Sequence, residues 1–199
     1  MARNALFIHG AWVGPACWDP FVARFRDVGY ECLAPAWPFE DRPIADLRES
    51  PAPELARMGV QEIVAHYEAI ARAMPEPPVL IGHSFGGLFV QMLLDRGVGA
   101  AGVAIDTAPP RGVLPTPAAF RASFSVLRTW RGWRKVLTVR LPDFAGGFLH
   151  NLPPDEQRRV YDAQVIPTRV ASSSRRGSRC STPRRRWTQQ PAAALADRR

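Results

Sequence analysis

The sequence predicts an α/β protein in three layers, with a parallel β-sheet between two layers of helix. Two observations carry this: short, almost wholly apolar runs alternate with longer stretches of helical spacing, and the junctions between them are rich in glycine and proline. A strand buried on both faces reads as a continuous apolar run, which is what a parallel sheet covered by helices requires.

Ala5 to His9 is the first such run, and it enters a glycine-containing loop at Gly10. From Trp18 to Val28 the residues Phe21, Val22, Phe25 and Val28 keep helical spacing, and Gly29 stands where a left-handed helix stop belongs. Glu31 to Pro35 reads as a second strand. Pro35 to Pro53 holds five prolines and many charges, so an irregular excursion over the surface is expected. Val60, Ile63, Val64, Tyr67, Ile70, Ala71 and Met74 then mark one apolar helix face, ended by Pro75. His66 falls on its polar side and is expected to face solvent. Pro78 to Gly82 reads as a buried strand, Phe85 to Arg96 as a helix closed by Gly97, and Ala101 to Asp106 as a further strand. From Pro109 to Val165 come helical pieces carrying Trp130, Trp133, Phe144, Phe148 and Leu149, broken at Pro142 and Pro153-Pro154. This pattern suits a helical cap whose aromatics serve mainly as core. The expected division is a core over 1–108, a cap over 109–167 and a disordered basic tail over 168–199.

A chain of 199 residues with 46% hydrophobic content supports one compact domain. Its net charge of +8 suggests nucleic acid until its distribution is considered: 171–199 holds eight arginines against Asp197, which leaves only +1 for the rest. A basic run so placed reads as a solvated tail, and no specific nucleic-acid partner is expected. The apolar stretch Ala5 to Ile8 is too short for a signal-peptide core or a membrane span, so the expected location is the cytoplasm, without a membrane partner. Cys17, Cys32 and Cys180 are odd in number and lack metal-ligand spacing, which suits reduced thiols. Neither metal nor cofactor is expected.

The chemistry concentrates at Gly82-His83-Ser84-Phe85-Gly86-Gly87, between a predicted strand and a predicted helix. A serine there must occupy a strained turn that projects its hydroxyl, and small residues at 82 and 86 let neighbouring backbone approach. The turn also sets Ser84 at a helix N-terminus, where N–H groups and the helix dipole favour developing negative charge. The bland alternative is an ordinary glycine-rich turn. With this motif and His9-Gly10-Ala11-Trp12, the chain resembles the α/β-hydrolase superfamily over roughly 1–167. The spacing through Gly14, Trp18 and Pro20 is most similar to the branch of small-molecule esterases and hydroxynitrile lyases.

The resemblance implies Ser84 as nucleophile and the backbone N–H groups of Ala11 and Phe85 as the oxyanion hole. It gives His9 and His83 shaping roles in the loop and the turn, not the role of base, and His150 falls in the expected cap. Chain order in that fold is serine, acid, histidine, with the histidine after the last strand, yet no histidine follows His150. Asp106 ends a strand where some members place the acid, and it reads equally as a turn-capping aspartate. After Val165-Ile166-Pro167 the composition changes abruptly. Codons permitted by Thr168 to Arg176, read one register over, can spell Ser-Arg-Arg-Val-Phe-Phe-Glu-Ala, a string like the family's own continuation. A frameshift that removes the last strands and the histidine is therefore expected, and sequencing the gene should find one insertion or deletion near codon 168 that restores a histidine-containing frame.

Two functions follow. The first is a serine hydrolase acting through an acyl-enzyme on a small ester, thioester, lactone or related acyl substrate, with impaired activity in this chain. A serine nucleophile argues against the dehalogenase and epoxide hydrolase chemistries that use aspartate in this fold, while hydroxynitrile lyase chemistry stays open. The second is an inactive hydrolase-like fragment whose tail binds polyanions non-specifically.

Overall fold

The computed structural model describes residues 3–110, 113 and 136–168. Four strands, β1 (Arg3–Ile8), β2 (Tyr30–Leu33), β3 (Val79–His83) and β4 (Ala101–Ile105), form one sheet in the order β2-β1-β3-β4. Every pairing is parallel, with Ala5 opposite Cys32 and Val79, and Val79 opposite Ala101. Helices α1 (Asp19–Asp27), α3 (Val60–Ala73) and α4 (Phe85–Asp95) make the connections. Two more, α5 (Leu141–Phe148) and α6 (Pro154–Gln164), lie further along the chain.

The period of two along β1 divides the core between the faces of the sheet. Leu6 and Ile8 join Leu80, the α3 residues Ile63, Val64 and Tyr67, and the α4 residues Phe89, Val90 and Leu93. Ala5 and Phe7 point the other way, toward Ile81, Cys32, Trp18 and the α1 residue Val22. Phe7 packs at 5.3 Å from the Trp18 ring and edge-on to Phe25 at 5.2 Å. All four β1 residues from Ala5 to Ile8 are fully buried, as expected for a strand flanked on both sides and both faces. On β4, a side chain at Gly102 would run into Val90 and Leu94 of α4, whereas Val103, pointing to the other face, is 49% exposed.

The excursion after β2 differs from the irregular surface path expected. It contains a short helix, α2 (Ile44–Glu49), and leads into a 3-10 turn (Pro53–Arg57); Trp37 and Leu47 within it, and Leu55 and Met58 just after it, are buried. Its apolar anchors are too far apart for periodicity to show, and Pro43 opens α2 as its N-cap residue. His66 also departs from expectation. It is half-buried, and its Nε2 lies 3.2 Å from the Ala36 carbonyl, while the neighbouring Tyr67 hydroxyl donates to Pro35 O at 2.9 Å. Helical spacing alone puts His66 on the outer side of α3, but the chain leaving β2 passes over that side. Elsewhere the expected elements hold to within a residue or two, with Gly29 and Gly97 left-handed at φ 87° and 72°.

The segment 136–168 packs against the loop after β1. Trp12, Val139, Phe144 and Val165 form a separate small core, while Phe148 is 45% exposed. Trp130, Trp133, Cys180 and the expected basic tail from 169 onward lie outside the described residues, while Thr168, the first residue of that expected tail, is buried and pairs with Leu137. Cys17 and Cys32 are free thiols. No helix among the described residues is long and apolar enough to cross a membrane.

Glu40, in the excursion, is buried. Its Oε1 accepts a hydrogen bond from the Thr168 hydroxyl at 3.0 Å, and its Oε2 meets no donor among the described residues. Burial pushes its carboxyl up to about 8, outweighing the Thr168 bond that favours the charge. Between the ordinary carboxylate range and this value, the unfolded chain releases a proton that the folded protein keeps. Rising pH therefore favours unfolding: the stability is fully present below the unfolded pKa and is lost as pH climbs through about 8. Urea melts of wild type against Glu40→Gln should show wild-type stability falling by at most about 1.4 kcal/mol per pH unit in that window, with the variant's profile flatter.

Candidate active site

Ser84 sits between β3 and α4 with φ 56° and ψ −118°, a positive-φ conformation outside the left-handed helical well that costs a residue with a Cβ about 1–3 kcal/mol. Its backbone is stitched on several sides. The Ser84 N–H donates to Ile105 O at 3.0 Å, and its carbonyl accepts from Leu88 N at 3.2 Å and Ala108 N at 2.9 Å. The turn is thus bound both to the first turn of α4 and to the loop leaving β4. Gln91 adds a side-chain link from α4 to Thr107, at 2.9 Å.

The glycines around Ser84 answer a packing demand. A Cβ at Gly82 would stand 2.2 Å from Gly86 O, and one at Gly86 only 2.0 Å from Ile8 O, so main chain crosses main chain at both points. At Gly10 an added Cβ would meet Ser84 Cβ at 2.9 Å and Oγ at 3.4 Å. The turn after β1 therefore lies directly against the serine, and Ala11 follows it by one residue.

His9 fixes that turn. It is fully buried beneath Trp37, with the rings stacked at 5.3 Å. The Trp37 N–H donates to Nε2 at 3.2 Å, which leaves the proton on Nδ1, 3.0 Å from Gly10 O. Burial lowers its pKa to about 4, so the ring is neutral near neutrality and can accept at one nitrogen and donate at the other. Because the Gly10 carbonyl and the Ala11 N–H share one trans peptide plane, holding the first also holds the direction of the second.

Four non-glycine residues among those described have positive φ: Trp12 at 66°, Phe39 at 69°, Ser84 at 56° and Asp106 at 41°. They fall one each in the loops after β1, β2, β3 and β4. Positive-φ glycines (Gly29, Gly97 and Gly99) lie instead in the turns that lead into β2 and β4. Strained residues thus collect at the carboxyl edge of the sheet, where open α/β sheets bind their ligands.

Among the sequence-predicted residues, Ser84, Ala11 and Phe85 come together at this edge. Phe85 opens α4, half-buried against Phe89. Asp106 is exposed and borders the turn through the Ile105 and Ala108 backbone bonds. Its charge acts on His83, raising that pKa against a larger lowering by burial. His150 is exposed beyond α5. Among the described residues no histidine is hydrogen-bonded to Ser84, and no cluster of side chains could hold a metal ion. Sequence reasoning missed the left-handed Trp12 and Phe39. The only signal was their place in a short Trp-containing loop after a strand.

A sequence model of the alpha/beta hydrolase family matches residues 5–198. A search of curated proteins finds no match. Among solved structures, an extracellular alpha/beta-hydrolase from a Paenibacillus species is 19% identical with a TM-score of 0.62, over 85% of this chain and 69% of its own. Tomato methylketone synthase I bound to 2-tridecanone is 18% identical with a TM-score of 0.61, over 86% and 69%. A pyrethroid hydrolase from Sphingobium faniae JZ-2 is 19% identical with a TM-score of 0.59, over 85% and 68%. These likenesses establish the shared fold.

The main-chain crossing at Gly86 generates a stability test. Gly86→Ala should destabilise by about 3 kcal/mol or more in a urea melt, because its new methyl meets backbone that cannot turn aside. Gly97→Ala, where none of the described residues lies within 4 Å, should cost only the left-handed strain of about 1–2 kcal/mol.

Proposed function

This chain belongs to the alpha/beta hydrolase family, and on that premise we propose that Ser84 is its nucleophile, acting on a small ester, thioester, lactone or related acyl compound. The observation that carries the reading is Ser84 itself, at positive φ at the head of α4 with the Gly10 turn packed against its side chain. The hydroxyl oxygen adds to the acyl carbon, and the carbonyl oxygen takes up negative charge beside the N–H groups of Ala11 and Phe85. Loss of one such donor typically costs about 3 kcal/mol in the barrier. The alcohol or thiol then leaves, an acyl ester remains on Ser84, and water releases the acid.

The serine proton needs an acceptor. His9 uses both ring nitrogens on backbone groups, His66 faces Ala36 O, His150 is exposed, and half-buried His83, adjacent in the chain, makes no hydrogen bond to the Ser84 hydroxyl among the described residues. With no histidine hydrogen-bonded to Ser84 among the described residues, the proposed scheme passes the proton to solvent, and only the alkoxide fraction set by hydroxide is reactive. Acylation should be at least about 100-fold slower than in a histidine-assisted relative. The same observation favours the second reading, a hydrolase fold without turnover.

Fluorophosphonate labelling separates the two readings. The 199-residue chain should be labelled slowly at Ser84, and Ser84→Ala should not be labelled. The wild-type rate should climb with hydroxide from about pH 6 to 9, without the plateau that a histidine titrating in that window would impose. Equal labelling of wild type and Ser84→Ala would dismiss the nucleophile, and a plateau would identify a base among the residues present.

A further inference from the structure

Segment 136–168 meets the loop after β1 through Val139 and Phe144, which pack on Trp12, and through the backbone of Val165 and Ile166. Val13 and Val165 form an antiparallel bridge, and the Ile166 N–H donates to Trp12 O at 2.9 Å. Trp12 follows Ala11 directly. Its left-handed backbone is restrained at two points, by that carbonyl bond and by the burial of its indole against Val139, Phe144 and Val165. Whatever holds Val165 and Ile166 therefore also holds the peptide beside Ala11.

Thr168, at the end of this segment, is held by backbone pairing with Leu137 and by its hydroxyl bond to Glu40, while Val165 is held from the other side by Arg48 of α2. The Arg48 Nε donates to Val165 O at 3.0 Å, and one terminal nitrogen donates to Tyr161 O at 2.7 Å. The guanidinium also lies over the Tyr161 ring, 5.3 Å from the centroid, and 3.7 Å from Asp162. Asp162 is 54% exposed, so this ion pair contributes little. The two carbonyl bonds matter more. One goes to the Val165 carbonyl and the other is a second bond to Tyr161 O, which already accepts from Val165 N at 3.0 Å, at the C-terminal end of α6 where the helix dipole also favours a cation. Together they span Tyr161 and Val165, which a forked guanidinium can do and a single ammonium cannot.

We propose that Arg48 is a positioning residue for Ser84: by clamping the end of α6 to α2, it fixes Ile166 against Trp12 and so aligns the Ala11 N–H that receives the developing oxyanion. This rests on the reading of Ser84 as nucleophile. Arg48 touches neither the serine nor a substrate in this scheme. It acts through Val165, Ile166 and Trp12, so its loss affects the chemical step more than the binding of a small substrate.

The test uses the 199-residue chain and p-nitrophenyl acetate, chosen for its small acyl group. In the step measured, the bond from Ser84 Oγ to the acetyl carbon forms and the aryl ester bond breaks. p-Nitrophenolate leaves, and the serine proton goes to water. Burst rates are corrected with Ser84→Ala, and Arg48→Ala and Arg48→Lys are compared with Tyr67→Phe, which removes the bond to Pro35 O on the α3 side. Both Arg48 variants should lose roughly ten- to a hundredfold in the acylation rate constant, the scale set by small misplacements of a reacting group. KM should change by less than about threefold. Amide exchange should speed up at Ile166 in both Arg48 variants. Tyr67→Phe, at comparable loss of thermal stability, should leave both quantities near wild type. A Ser84-dependent burst that survives Arg48→Ala, full rescue by lysine, a change confined to KM, or a loss that merely tracks melting temperature across all variants would each overturn the proposal. A wild-type burst no larger than that of Ser84→Ala would instead remove the nucleophile, and this inference with it.

Discussion

The structure depends on a crossing of main chains at the carboxyl edge of the sheet, where the turn after β3 passes within contact of the end of β1. Gly82, Gly86 and Gly10 supply the space: any side chain at the first two would occupy a position held by a backbone oxygen. This crossing forces Ser84 into its positive-φ conformation and starts α4 at that point. Parallel pairing of β1 with β3 brings the two turns side by side in the first place, since adjacent parallel strands end at the same edge.

Neutral, buried His9 acts as a spacer with two hydrogen-bonding ends. It joins the turn after β1 to the chain after β2 through Trp37, and its burial keeps it from becoming a cation that would need a counter-charge. Arg48 and Glu40 meet the same demand from the excursion, one by donating to backbone carbonyls and the other by staying protonated against Thr168. The polar groups buried around this edge thus serve mainly to hold backbone. Among the described residues no hydrogen bond gives Ser84 a proton acceptor, which is why the proposed chemistry relies on solvent.

How much was legible in the sequence varied with the range of the interactions responsible. The four strands, the long helix α3 and the Gly29 and Gly97 stops were readable because apolar periodicity and left-handed glycine are local signals. The glycine spacing around Ser84 was readable too, since the turn imposes its own composition. Helix α2 was not, because six residues with one buried apolar anchor leave no period. The inward placement of His66 was also hidden, because the group it meets, Ala36 O, arrives from thirty residues away in sequence.

By itself, then, the sequence determined a doubly covered parallel sheet with a strained serine at the head of a helix. Those features follow from backbone sterics and from apolar burial along one short stretch of chain at a time. Only the tertiary structure decided that Gly10 lies against Ser84 and that His9 binds Trp37. It alone also set Trp12 left-handed beneath Ile166 and made Arg48 reach Val165 across 117 residues. Such contacts arise from the order in which strands pair and from which carbonyls are left without partners when helices end. No local pattern of residues records either one.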